Sequence, residues 1–158
     1  MKVYRSVLIT LVLGSLTLAG PEFRGPLPEE QNEIIRYLAA HHQELKREVQ
    51  HTETGYVAVT TSENPEVIAR LRTHFDYMEK RLGSGAMVRR WDPAFKEMVD
   101  YFDQLDTKVE KLENGIKVTV TGKTPEAVKV AQNHARIVSG FVNEGQPAVA
   151  RKHEAAIP

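Results

Sequence analysis

The chain contains no cysteine. That excludes disulfide staples, thiolate metal ligands, a cysteine nucleophile, covalent c-type haem attachment and a lipid anchor on cysteine. It also lacks a surplus charge of either sign: 21 Lys and Arg face 21 Asp and Glu. Nothing therefore marks a nucleic-acid footprint, and no basic helical face marks a bilayer surface. No apolar run is long enough to span a membrane, which takes roughly twenty residues.

The longest such run, Val7 to Leu18, follows Lys2 and Arg5 and ends in Thr17-Leu18-Ala19, a small-x-small cleavage pattern. Residues 1–19 thus read as a signal peptide, with a retained N-terminal anchor as the alternative. The expected location is secreted or periplasmic. A Gly- and Pro-rich flexible leader, 20–28, precedes one domain expected over 29–145, and 146–158 form a weakly periodic tail.

What the sequence does have is a gapless repeat. Residues 45–82 recur as 105–142, so that Leu45 falls on Leu105, Gly55 on Gly115, Pro65-Glu66 on Pro125-Glu126 and His74 on His134. Such a repeat sets the architecture before anything else. With the helices that precede each copy, the repeats extend over about 29–82 and 91–142.

Ile34, Ile35, Leu38, His42 and Leu45 recur at helical spacing, as do Phe95, Met98, Val99, Phe102 and Leu105 in the second copy. Two strands then follow in each copy, joined by turns at Thr54-Gly55 and Asn114-Gly115. Ile116, Val118 and Val120 alternate with Lys117, Thr119 and Thr121, the pattern of a strand with one wet face. Asn64-Pro65-Glu66 and Thr124-Pro125-Glu126 each supply a capping side chain, a proline at the first helical position and an early acid. The unit is helix–strand–strand–helix, twice. The expected fold is α+β: a four-stranded antiparallel sheet covered by helices, with a pseudo-twofold axis.

Two histidines occupy one position of the duplicated helix. His74 shares an apolar stripe with Leu71 and Met78, and His134 with Val130, Ala131 and Val138. If the helices lie side by side, two imidazoles suit a haem b iron. Imidazole with the Met78 thioether suits copper, and iron or zinc are further choices. His42 falls on Phe102 in the other copy, a break in symmetry that a one-sided ligand site would produce. His41 and His153 are weaker candidates. The competing reading makes all of these core or surface residues with no ligand, and Met78 a gap-filler.

Other chemistry finds less footing. Glu29, Glu30, Glu33, Glu44 and Glu48 read as a solvated face, and no carboxylate pair stands on an apolar stripe. Ser62, Ser84 and Ser139 lack a nucleophile elbow. Gly83-Ser84-Gly85 is too short to cradle phosphate. Arg89-Arg90-Trp91 reads as an anion or partner contact, or simply as the approach to a capped helix.

Ala40-His41-His42, Asn64-Pro65-Glu66-Val67, His74 with Met78, Trp91-Asp92-Pro93, His134 to Ser139 and Phe141-Val142 resemble the corresponding segments of small secreted bacterial proteins of undetermined function. The resemblance covers most of the mature chain. Asn114 to Val130 is also similar to the strand–turn–helix of BON domains, which implies envelope or phospholipid association. It departs from the BON order, in which two further strands follow the helix.

The expected function is an exported, non-enzymatic protein holding haem or a transition metal between the repeat helices. The alternative is a structural or interaction module of the cell envelope. Expected partners are a second copy paired at a sheet edge, or an envelope or redox protein.

Overall fold

The computed structural model describes Phe23 and residues 25–158; residues 1–19, expected to be a signal peptide, and residues 20–22 and 24 lie outside them. The elements run α1 (Glu29–Ala40), β1 (Leu45–Thr52), β2 (Gly55–Ser62), α2 (Pro65–Gly83), α3 (Pro93–Asp100), β3 (Leu105–Leu112), β4 (Gly115–Gly122), α4 (Pro125–Glu144) and α5 (Gln146–Ala150). Short 3-10 turns, His42–Glu44 and Phe102–Gln104, lead into the two outer strands. From these turns onward the strand boundaries of the two copies coincide at the sequence offset.

The expected α+β fold with one antiparallel sheet is what the chain forms, in the order β1-β2-β4-β3. Its centre is the β2–β4 pair, where Ala58 lies opposite Val118, its own equivalent in the other repeat. The pseudo-twofold axis therefore passes through this one residue pair. On either side of it Tyr56 faces Val120 and Thr60 faces Ile116.

The hairpin loops are Glu53-Thr54 and Glu113-Asn114, so each glycine opens an inner strand and does not sit within the turn. The reason lies across the axis. A Cβ on Gly55 would stand 1.9 Å from the Val120 carbonyl oxygen, and one on Gly115 would stand 2.0 Å from that of Thr60. Each glycine lets the other repeat's backbone come close.

One sheet face is covered. Tyr56, Ala58, Ile116, Val118 and Val120 pack with Leu71, Met98, Leu105, Ala127, Val130, Ala131 and Ala135. Each buried Val or Ile here contributes about 1.5–3 kcal/mol. The opposite face carries Lys46, Glu48, Val57, Val59, Lys108, Glu110, Lys117 and Thr119. Glu110 bridges Lys117 at 3.4 Å and Lys108 at 3.5 Å on that face.

Both long helices begin on their expected caps: Asn64 accepts from the Glu66 N–H, and Thr124 from the Ala127 N–H. Each then reaches toward the other repeat's hairpin. Gln132 of α4 donates to the carbonyls of Thr52 (3.0 Å) and Gly55 (3.1 Å). Arg72, its equivalent on α2, donates to those of Leu112 and Glu113.

The ends of the described chain are tied down. Arg81, 2 % exposed, donates to the carbonyls of Gly25 (2.5 Å) and Met87 (3.0 Å) and to the Tyr77 hydroxyl (3.1 Å). After Gly145 the chain forms α5 and then an extended stretch bonded to α3. The Ala156 and Ile157 N–H groups donate to the Glu97 carboxylate at 2.8 and 2.7 Å, and Ile157 packs on the core. No helix among the described residues is long and apolar enough to cross a membrane.

Candidate functional site

The covered face and the helices above it hold most of the residues that could carry chemistry. His74 lies on the buried stripe of α2, edge-on to Phe75 with ring centroids 6.2 Å apart. Its Nδ1 is buried and has no hydrogen-bond partner. His134 lies on the equivalent stripe of α4 and meets Phe95 of α3 edge-on at 5.5 Å. Both residues keep some exposed surface, yet burial of the rings lowers each pKa to about 4, because the apolar surroundings penalise the imidazolium. For His134 the Arg47 guanidinium lowers it further and Asp92 opposes. Both rings are therefore neutral at pH 7, the state that binds metals.

The repeat makes these histidines equivalent in sequence; packing gives them different neighbours. Phe75 follows His74 on its own helix, whereas Phe95 comes from α3. Met78 follows His74 by one helical turn and is partly buried. Among the described residues no three His, Cys, Asp or Glu converge as a metal cluster. Two surface cavities, of about 510 and 400 Å³, are lined by Phe23, Gln31, Thr73 and Tyr77 and by Phe23, Ser84, Met87 and Arg90. Neither is lined by a candidate histidine, so neither places a haem between His74 and His134.

The remaining candidates have structural partners. His42 donates from Nδ1 to the Val142 carbonyl at 2.8 Å. Its ring packs against Gly145, where a Cβ would lie 2.5 Å from His42 Cδ2 and φ is +66°. Phe102, at the equivalent place in the other repeat, has no ring nitrogen to make such a bond. His41 contacts Glu44 through Nδ1 at 2.5 Å and stacks on Tyr37 at 4.1 Å, at the surface.

His153 belongs to the most elaborate cluster of the molecule. Asp92, 0 % exposed, caps α3 through the Ala94 N–H and receives the His153 Nδ1 at 2.8 Å, the His153 N–H at 3.3 Å and Arg89 at 3.2 Å. The Arg89 guanidinium lies over Trp91 (4.3 Å), Phe95 (5.0 Å) and Phe141 (5.7 Å). Arg89 takes φ +53°, a left-handed conformation unusual for a side chain of its size. His153 meets Phe141 at 5.5 Å and Phe95 at 6.5 Å, and Phe95 also meets His134. A carboxylate, a cation and an imidazole here close on one another, and their joint effect is to fasten the C-terminal segment onto α3.

Sequence reasoning placed Asp92 only at the start of a helix, and read Arg89 with Arg90 and Trp91 as an anion or partner contact or as the approach to that helix. It also passed over Arg47, an inward-pointing β1 residue that donates to Thr60 (2.8 Å) and Ser139 (3.3 Å) beneath α4. Strand alternation was the available signal, since Arg47 shares a face with Leu45 and Val49. Glu97 and Gln31, both buried, gave none.

No protein-family model, curated protein or solved structure matches this chain.

Proposed function

We propose that this chain is an exported, non-enzymatic interaction module of the cell envelope, in which the histidines serve the fold. One observation carries the reading: His41, His42 and His153 each commit a ring nitrogen to a structural partner, Glu44, the Val142 carbonyl and Asp92. Two of those bonds join segments remote in sequence. The chemistry legible in the sequence is spent on holding α1, α4 and the C-terminal segment together.

Hemin and copper titrations of the purified mature chain test this, alongside equilibrium unfolding of His74→Ala and His134→Ala. The expected result is no stoichiometric uptake, with each substitution lowering stability by about 1–3 kcal/mol through lost packing. Uptake of one equivalent that either variant loses would overturn it.

A second reading, a soft metal ion or haem held through His74, is favoured by its orphaned, neutral Nδ1. Buried polar atoms are rarely left without a partner. Met78, one turn along, would supply the thioether to copper(I). This reading expects His74→Ala or Met78→Leu to abolish copper(I) binding while His134→Ala leaves it intact, read by competition with a chromophoric chelator.

A further inference from the structure

The two edges of the sheet are equivalent in sequence but differ in their cover. α4 lies across β1, and on the helix side of that strand Arg47 is drawn inward to Thr60 and Ser139. An inward-pointing charge is one of the ways a sheet edge is kept from pairing with another chain. β3 makes its main contacts with β4, and no helix packs broadly over it. Thr107, the counterpart of Arg47, is exposed, and Val109 is half-buried at the rim of the core.

Which groups of β3 are free follows from one hydrogen bond. Just before the strand, the Gln104 carbonyl accepts from the Lys123 N–H at 2.9 Å. Bonded and non-bonded positions alternate along an antiparallel pair, so Asp106, Lys108, Glu110 and Leu112 bond to β4. Thr107, Val109 and Lys111 turn their N–H and C=O groups outward at the sheet edge, where no other main chain among the described residues bonds to them. On the face away from the helices, Lys108 and Glu110 carry opposite charges two residues apart.

We propose that β3 pairs antiparallel with β3 of a second copy of this chain, about a twofold axis through Val109, joining the two sheets into one. In that register Lys108 of each copy stands opposite Glu110 of the other, and Thr107 opposite Lys111. The two Val109 side chains meet on the helix side, each completing the rim of the other's core. Moving the axis to either neighbour sets Lys108 on Lys108 or Glu110 on Glu110, and like charges directly opposite are destabilising. The equivalent axis on β1, through Val49, sets Glu48 against Gln50 and Arg47 against His51, with no ion pair. Charge complementarity thus singles out β3 and makes the chain its own partner. The pairing uses none of the histidines, so it goes beyond the interaction-module reading and stands independently of it.

Sedimentation velocity of the mature chain over a concentration series tests this, with hydrogen exchange to locate the contact. The expected result is a monomer–dimer equilibrium. The Thr107, Val109 and Lys111 amides should gain protection as the dimer forms, while those of Arg47, Val49 and His51 should not. Lys108→Glu and Glu110→Lys should each weaken self-association about tenfold or more. Mixed in equal amounts, the two variants should associate with each other as tightly as the parent does with itself, since each now supplies one sign. The mixture also controls for the Glu110 bridges to Lys108 and Lys117 that each variant loses within its own chain. Thr107→Pro should abolish the dimer and leave the monomer folded, because that N–H takes no part in the β3–β4 ladder. A chain that stays monomeric up to its solubility limit overturns the proposal. So does a dimer whose protection falls on β1, or one that both charge reversals leave intact.

Discussion

At three equivalent positions on the sheet-facing stripe, α4 carries Ala127, Ala131 and Ala135 where α2 carries Val67, Leu71 and Phe75. All three alanines are fully buried, and α4 lies across β1, β2 and β4. The bulkier α2 packs chiefly on β2 and β4 and takes α1 as its main neighbour. The repeats thus share one sheet and differ in how their helices sit on it. A duplicated backbone keeps its hydrogen-bond register because main-chain groups are identical in every copy. Helix packing is set by side-chain volume, so it diverges as soon as the stripes do.

The sharpest way to break this comparison is to give α4 the other helix's stripe. Ala135→Phe should destabilise the protein by about 3 kcal/mol, because a 0 % exposed site has no room for a ring. The reverse change, Phe75→Ala, should cost about 2 kcal/mol at its partly buried site. Denaturant unfolding of the two variants measures the contrast, and equal losses would mean that the helices sit alike.

Removing Asp92 compares the two repeats near the starts of α3 and α1. Asp92→Ala strips the buried partner from Arg89 and His153 and should cost about 2–3 kcal/mol. Asn32→Ala, at the equivalent place, removes one long bond to the Leu27 carbonyl and should cost under about 1 kcal/mol. Hydrogen exchange should show residues 153–157 losing protection only in the first variant.

The smallest effect separates the two histidines. Their folded pKa values of about 4 lie below the ordinary 6.5, so the unfolded chain binds protons first as pH falls. Stability from each is complete above pH 6.5 and drains away between about pH 6.5 and 4. Both residues retain some surface, so each is expected to account for about 1–2 kcal/mol of that loss. His74→Leu and His134→Leu should each flatten the slope relative to the parent, read from urea midpoints against pH. Arg47→Met should raise the His134 pKa, since that guanidinium helps to lower it, and should leave His74 where it is. Equal shifts at both rings would show that Arg47 does not act locally.

Much of the fold was legible because the repeat was. Asn64-Pro65 and Thr124-Pro125 marked helix starts through local capping chemistry, and Ile116, Val118 and Val120 marked a strand by alternation. The turn at Thr54-Gly55 was misplaced by one residue, because Gly55 answers to the Val120 carbonyl across the axis and not to its own loop. His42 was legible as a break in symmetry, but its partner, the Val142 carbonyl, stands 100 residues away. Nothing in the sequence singled out Gln31 or Glu97; Glu97 is buried beneath the chain end whose N–H groups it accepts.

By itself, the sequence determined the elements, their duplication and the polarity of each sheet face, since these follow from short-range capping, alternation and a repeated register. Only the tertiary structure decided which histidines keep a free nitrogen and that Asp92 and Glu97 fasten the tail. Those outcomes depend on contacts between residues tens of positions apart, where side-chain volume and the pairing of buried polar atoms take over from local pattern.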